Sequence, residues 1–373
     1  MKKFKNLYPQ LISFGNLYLA ALKAERGKRG HPDVAAFDFD LEANLLRLQE
    51  QLATHTYRHS RYYSFRIYDP KSRLISAAPF RDRVAHHALV RVIEPLFERS
   101  FITDSYANRV GKGTHRALDR CQAFARRYRY VLQCDLRQFF PSVDHAVLRD
   151  ILARKIADPD VLWLMDRILE SGVGVLDDEY DMVYFPQDDP LSPGPTPGSL
   201  GSGQGLFAAN RPRGLPIGNL TSQFWANCYL NPFDHFVKRQ LRCQAYLRYV
   251  DDFLLFADAK RQLWDWKRAI QGYLARLRLT LHQRESTVYP VTNGIPFLGF
   301  RVYPSHRRLR RRNGVSFARR LRGWCVELAR GELTQEQLNQ RVQGWVAHAA
   351  HGNTYRLRFS LFSSIVIPRS GSR

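Results

Sequence analysis

Residues 246–257 read Tyr-Leu-Arg-Tyr-Val-Asp-Asp-Phe-Leu-Leu-Phe-Ala, two apolar runs on either side of Asp251 and Asp252. Each run has strand length, so the spacing predicts a hairpin with two adjacent carboxylates at its tip. Such neighbours repel unless a cation lies close to them, although aspartate is also common in ordinary turns. A second stretch adds weight to the cation. Residues 128–136 (YRYVLQCDL) read as a buried strand ending on Asp135. Two strands, each delivering an aspartate at one edge of a sheet, can bring carboxylates together. Hard oxygen ligands of that kind suit Mg²⁺. Two such ions about 3.5–4 Å apart would clamp the attacking and leaving oxygens of an in-line phosphoryl displacement. Asp135 could equally cap the segment that follows it, and Asp144, in PSVDH before a helical pattern, reads as a cap.

Outward from these strands the pattern is mixed. Residues 1–60 read as helical, with Leu41, Leu45, Leu48 and Leu52 at helical spacing. Residues 62–80 predict a hairpin around Asp69-Pro70-Lys71-Ser72, and residues 82–99 a helix. A loop over 106–116 leads into a helix ending near Arg127, and helices are expected at 144–156, 159–171, 217–241 and 260–279. Residues 186–214 are rich in Pro, Gly and Ser and read as a flexible surface insertion. Short strands are expected over 286–303. The tail from 304 is basic: residues 301–330 hold ten arginines against one acid, Glu327.

The chain has 373 residues, 57 of them Lys or Arg and 34 Asp or Glu, for a net charge of +23. That surplus calls for a polyanionic partner, nucleic acid before an anionic membrane. With 45% hydrophobic residues a sizeable core can be buried, and disorder as the dominant state is excluded. Five scattered cysteines without a C-x-x-C pair argue against a zinc ribbon and fit a reducing cytoplasm. No apolar run approaches a membrane span. Pro9, Gln10, Gly15 and Asn16 break the start too often for a signal peptide, leaving an amphipathic first helix as the expectation.

Three segments taken together, YVLQCDLRQFFPSVDH, GLPIGNLTSQFWANCYLNPFDHFVK and RYVDDFLLF, resemble the reverse transcriptases in order and spacing over roughly residues 60–303. The resemblance implies an α+β right-hand polymerase. Its fingers would be residues 1–125, its palm 126–303 with an antiparallel sheet, and its short helical thumb 304–373. Two Mg²⁺ ions would be held by Asp135, Asp251 and Asp252 with the carbonyl of Leu136. The middle motif narrows the resemblance. Most bacterial relatives carry Gln-Gly-x-x-x-Ser-Pro there, and this chain has Ile217-Gly218-Asn219-Leu220-Thr221-Ser222-Gln223. That pattern is similar to the reverse transcriptases of diversity-generating retroelements, which copy a template-repeat RNA with frequent errors at adenines. An apolar Ile217 cannot make the hydrogen bonds a Gln makes near the templating base, so mispairs cost less. Plain packing at a helix start is the simpler role for Ile217.

The same resemblance implies further site residues. Phe140 would pack against the nucleotide sugar, and Arg73 and Arg81 would grip the triphosphate, a bidentate task suited to guanidinium. Gly218 and Gln223 would line the nucleotide site. Phe297, Leu298 and Gly299 match a primer-grip hairpin, and Arg307, Arg308, Arg310, Arg311 and Arg312 would meet phosphates of primer and template. The loop from Ser105 to Thr114 would lie in the fingers near the template. Related enzymes commonly carry a Lys-Thr-like pair after the 274–281 helix, and that Lys is a candidate general acid for pyrophosphate. Here Glu285 takes that place beside Arg284, which leaves His282 or water to deliver the proton. The implied partners are template RNA, a primer strand, deoxynucleotides and a pentameric basic accessory protein. The alternatives are a group II intron-like or antiviral-defence reverse transcriptase of ordinary fidelity, and an RNA-binding scaffold without activity.

Overall fold

The computed structural model describes residues 3–68, 72–188 and 211–363. Residues 69–71 of the turn expected at 69–72 and most of the insertion expected at 186–214 lie outside the described residues. The ends of that insertion do not: Pro186–Asp188 forms a 3₁₀ turn, and Asp188 and Arg213 are buried.

A four-stranded antiparallel sheet lies at the centre, in the order β4 (Tyr246–Tyr249), β5 (Asp252–Ala257), β3 (Tyr130–Cys134), β6 (Thr287–Pro290). Its strands are apolar on both sides because both faces are covered. Leu132, Cys134, Phe253 and Leu255 point into the larger core, while Val131, Leu247, Leu254 and Phe256 point into a second one. The larger core is closed by α5 (Phe80–Glu98), the helix Leu220–His235 and the helix Lys260–Arg276. The second is closed by α6 (Thr114–Arg127) and a separate three-stranded sheet, β7 (Ile295–Phe297), β8 (Phe300–Val302) and β9 (Arg307–Leu309).

The helical start of the chain is four short helices: α1 (Tyr8–Ile12), α2 (Phe14–Ala24), α3 (Pro32–Phe39) and α4 (Leu41–Ala53). Ala20, Ala21 and Ala24 let α2 lie close against α5, where Ala85 and Ala88 are also buried. The Asp158 carboxylate ties the first helix down by accepting from the amides of Leu7 at 2.6 Å and Tyr8 at 3.0 Å. The hairpin β1 (Tyr63–Ile67) and β2 (Arg73–Ala77) projects from this body with β1 exposed along its length.

The helix expected at 217–241 begins at Leu220 instead. Pro216 and Gly218, the latter at φ +118°, keep the chain irregular, and the helix ends in a π-turn over Phe236–Gln240. The tail, expected to be helical, starts as a strand, β9. Beyond it the helices Arg311–Ala329 and Gln335–Ala349 share a small core, with Phe317 stacked on Trp345 at 3.8 Å. No described helix is long and apolar enough to cross a membrane.

Histidines lie inside this scaffold. The His86 Nε2 is 3.1 Å from the His59 Nε2, and its Nδ1 is 3.3 Å from the Thr221 hydroxyl. Burial lowers the pKa of His86 to about 3 and that of His87 to about 4. The unfolded chain takes up protons on these rings below about pH 6.5, and the folded chain does not. Stability contributed by the neutral rings is therefore complete above that pH. It is lost as pH falls toward 3, by up to about 1.4 kcal/mol per pH unit for each ring. Thermal melts of wild type and His86→Gln between pH 6.5 and 4.5 check this. The variant is expected to be less stable at neutral pH and to decline less steeply. Equal slopes would remove His86 from the account.

Candidate active site

The two-aspartate turn is built by register. Tyr249 pairs with Asp252, so Val250 and Asp251 form the turn, and Val250 sits at φ +57°. A β-branched side chain in the left-handed region is strained, and surrounding contacts must hold it. Across the sheet Cys134 pairs with Phe253, which brings Asp135 level with Asp252 at the same end. The segment after β3 is stitched to the chain beyond the 260–276 helix. The amide of His282 donates to the carbonyl of Asp135 at 2.8 Å, and the amide of Arg137 to that of Thr280 at 2.9 Å. Burial pushes the thiol of Cys134, behind Asp135, up to about 12, so it stays a neutral packing group.

A cleft of about 750 Å³ opens at this end of the sheet. Asp135, Leu136, Asp251, Asp252, Arg73, Phe140, Ile217, Gly218, Gln223 and Leu298 all line it, which brings ten of the expected site residues together. Arg73, Gly218 and Gln223 are exposed in its wall, and Phe140 is half-buried against Phe139 with ring centroids 5.3 Å apart. His282 lines the cleft as well, whereas Glu285 is exposed and outside its lining. The carboxylates of Asp135, Asp251 and Asp252 are hard-oxygen groups of the kind that suits Mg²⁺, and they line one cleft. Among the described residues no three His, Cys, Asp or Glu side chains are gathered into a ready-made metal site.

The other expected residues lie elsewhere. Arg81 is outside the cleft lining. Its guanidinium donates to the Asp82 carboxylate at 2.9 Å and lies over the Tyr57 ring at 5.2 Å. Arg307 is buried and joins the three-stranded sheet to α6, bonding Asp119 at 2.6 Å and Gln122 at 3.0 Å. Arg308, Arg310 and Arg311 are exposed. Leu298 and Gly299, at φ +46° and +87°, form the tight turn of the β7–β8 hairpin, and Phe297 is buried behind it. The space a side chain on Gly299 would need is taken by Asn313, 2.9 Å from an added Cβ. Close approach at this glycine is therefore made by the following helix. In the loop before α6, Arg109 forks onto Glu98 at 2.6 Å, and Lys112 donates to the Thr103 carbonyl at 2.7 Å. These basic groups tie the loop to the end of α5 and to itself.

Residues 68–302, more than half of the chain, match the family described as reverse transcriptase (RNA-dependent DNA polymerase). This chain belongs to the reverse transcriptase family. Members of that family generally use divalent metal ions, usually Mg²⁺, and the fold is the right-hand polymerase arrangement of helices and antiparallel sheets. Protein YkfC of Escherichia coli (strain K12) is 26% identical over 279 residues, covering 64% of this chain and 66% of that protein. Nuclear intron maturase 1, mitochondrial, of Arabidopsis thaliana is 29% identical over 91 residues, 24% of this chain and 13% of that one. The chain thus spans less than two thirds of these relatives. Among solved structures, apo telomerase from Candida tropicalis covers 66% of this chain and 48% of its own, at 12% identity and a TM-score of 0.43.

Residues that set the site's shape were given no role by sequence reasoning. Asn219 is buried: its Oδ1 accepts from the amide of Ala78 at 3.0 Å, and its Nδ2 donates to the carbonyls of Ser76 at 2.8 Å and Pro216 at 3.0 Å. The amide of Ser76 donates to the carbonyl of Ile217 at 2.8 Å. One side chain thereby holds β2, which carries Arg73, against the loop that carries Ile217. A polar residue just before a long apolar helix is the only signal, and it reads equally as a cap. Asn219→Ala leaves the buried amide of Ala78 and the carbonyl of Ser76 without a partner, while the carbonyl of Pro216 still accepts from the Ser222 hydroxyl at 2.7 Å, and it is expected to cost about 1–3 kcal/mol. Urea unfolding checks the loss, and faster proteolysis confined to residues 63–77 would place it at the hairpin. A variant as stable as wild type would show that the clamp carries no energy.

Proposed function

We propose that this chain is an RNA-directed DNA polymerase of the kind found in diversity-generating retroelements, making error-prone cDNA from a template-repeat RNA. The observation that carries this reading is Ile217 with Gln223 in the wall of the cleft that also holds Asp135, Asp251 and Asp252. Asp135, Asp251 and Asp252 with the Leu136 carbonyl would hold Mg²⁺, two ions on this reading. When bound, they supply neutralisation of phosphate charge and a more acidic primer hydroxyl.

The chain's own residues do the positioning. Arg73, exposed at the cleft wall, pairs with the triphosphate. Phe140 packs against the sugar and leaves no room for a 2′-hydroxyl. Ile217, half-buried, offers the nascent pair an apolar surface without donors or acceptors, so a mismatched pair gives up little there. The Leu298-Gly299 turn meets the primer end. Arg308, Arg310 and Arg311 lie beyond β8, with the amide of Arg310 donating to the carbonyl of Gly299 at 3.0 Å, and add positive charge for the phosphates. The partners on this reading are the retroelement RNA and a small basic pentameric accessory protein.

The second reading, an intron-type reverse transcriptase of ordinary fidelity, draws on the intron maturase among the relatives. Sequencing of primer-extension products on a defined RNA template separates the two. Assays supply Mg²⁺, native RNA and accessory protein, with Asp251→Ala/Asp252→Ala as the blank. Errors concentrated opposite adenines, reduced about tenfold by Ile217→Gln, are expected; that ratio corresponds to about 1.4 kcal/mol of discrimination. Accurate products would move the chain to the intron or defence class. Extension by the double alanine variant would exclude the aspartates as its catalytic groups.

A further inference from the structure

Beneath the two-aspartate turn lies a charge that the reaction does not use. Arg248 is fully buried, and so is Asp234. The guanidinium bonds both oxygens of Asp234, at 2.8 Å through Nε and 2.7 Å through Nη2. Its remaining nitrogen, Nη1, donates to the carbonyl of Val250 at 2.9 Å and to the Asn227 Oδ1 at 3.2 Å. Tyr246 completes the cluster by donating to Asp234 at 2.6 Å. The Asn227 amide donates onward to the carbonyl of Ala107, in the loop before α6, at 2.9 Å. These four arginine bonds are directed by a planar fork that cannot rotate independently of the Asp234 pair. The carbonyl it holds belongs to Val250, the strained residue immediately before Asp251.

We propose that Arg248 is a positioning residue: locked by Asp234, it holds the Val250 carbonyl and so keeps the turn in the conformation that presents Asp251 and Asp252 to the cleft. Its consequence for catalysis rests on the polymerase reading, whereas its effect on the turn does not. A side chain whose work is to hold a left-handed valine becomes dispensable when the strain is removed. Glycine adopts φ +57° without cost. A role in general core stability would gain nothing from that change.

The test uses the full chain and two ways of removing the contact. Arg248→Lys keeps a charge opposite Asp234 but has no fork to reach Val250 as well. Asp234→Leu/Arg248→Met replaces the ion pair with apolar groups, an exchange that proteins often accept without loss of stability. Hydrogen exchange is read on peptides covering 249–252 and on those covering 130–134. Primer extension is titrated with Mg²⁺ alongside template–primer binding. Exchange at 249–252 is expected to quicken about tenfold with 130–134 unchanged. The Mg²⁺ concentration for half-maximal rate is expected to rise about 10- to 100-fold at unaltered template–primer affinity. Adding Val250→Gly to Arg248→Lys is expected to recover at least about threefold of the lost rate. Unchanged exchange at 249–252 in a folded variant would overturn the proposal. So would a loss shared by every peptide, or a Val250→Gly that recovers nothing. If wild type extends no primer, the polymerase reading fails, and exchange at 249–252 still decides the role of Arg248.

Discussion

A charge pair with no access to water, Arg248 with Asp234, stands where the parts of this molecule meet. Arg248 belongs to β4, Asp234 to the helix that begins at Leu220, and through Asn227 the pair reaches the loop before α6. The same loop is paired to the strand directly. The amide of Arg248 donates to the carbonyl of Asp104 at 2.9 Å, and its own carbonyl accepts from Tyr106 at 3.0 Å. Removing one partner from such a pair costs about 3–5 kcal/mol, because it leaves a buried charge alone. Exchanging the whole pair for apolar groups is often neutral, so on the proposal above its work is the geometry of the turn carrying Asp251 and Asp252.

The remaining walls of the cleft are fastened to this centre by neutral bonds. Asn219 ties β2 to the loop of Ile217, and the amides of Arg137 and His282 join the Asp135 segment to the chain beyond the 260–276 helix. Two feet of the segment 189–210 are fastened as well. Asp188 pairs with Arg278, and Arg211 pairs with Asp144 at 2.7 Å. Asp144 caps its helix at the same time by accepting from the amide of Val147 at 2.9 Å. The reading of Asp144 as a cap agrees with that bond, and its second oxygen does work that no local pattern announced.

The basic surplus is divided between structure and surface. Arg109, Arg248 and Arg307 spend their guanidinium groups on Glu98, Asp234 and Asp119 inside the protein or at its joints. Arg73, Arg308 and Arg311 remain at the surface. Composition alone counts both kinds equally. Within the Arg307–Arg312 run, strand pairing of β9 turns Arg307 inward to Gln122 and leaves Arg308 outside. A run of like charges thus splits according to the alternation of a strand, which sequence reasoning had taken for a helical region.

The apolar runs around Asp135 and Asp251-Asp252 made the central strands legible, because a strand buried on both faces leaves a continuous hydrophobic signature. The helices expected at 159–171 and 260–279 are present as Pro159–Ser171 and Lys260–Arg276. Of the ten residues that line the cleft, the three aspartates were legible as carboxylates at strand ends, and the other seven came only from the resemblance to the reverse transcriptases. What sequence could not show is which polar groups are spent on one another. Arg81 and Arg73 look alike in the chain, yet one turns to Asp82 and the other faces the cleft. An arginine between Leu247 and Tyr249 was a visible anomaly in a buried run, and a paired charge is the physical reason one survives there. Its partner, fourteen residues earlier on a helix, and its grip on the Val250 carbonyl became apparent only when the helix was packed on the sheet. Local sequence determines periods, caps and turns, since those depend on neighbours in the chain. The pairing of distant charges is decided by tertiary structure, because it depends on which surfaces exclude water together.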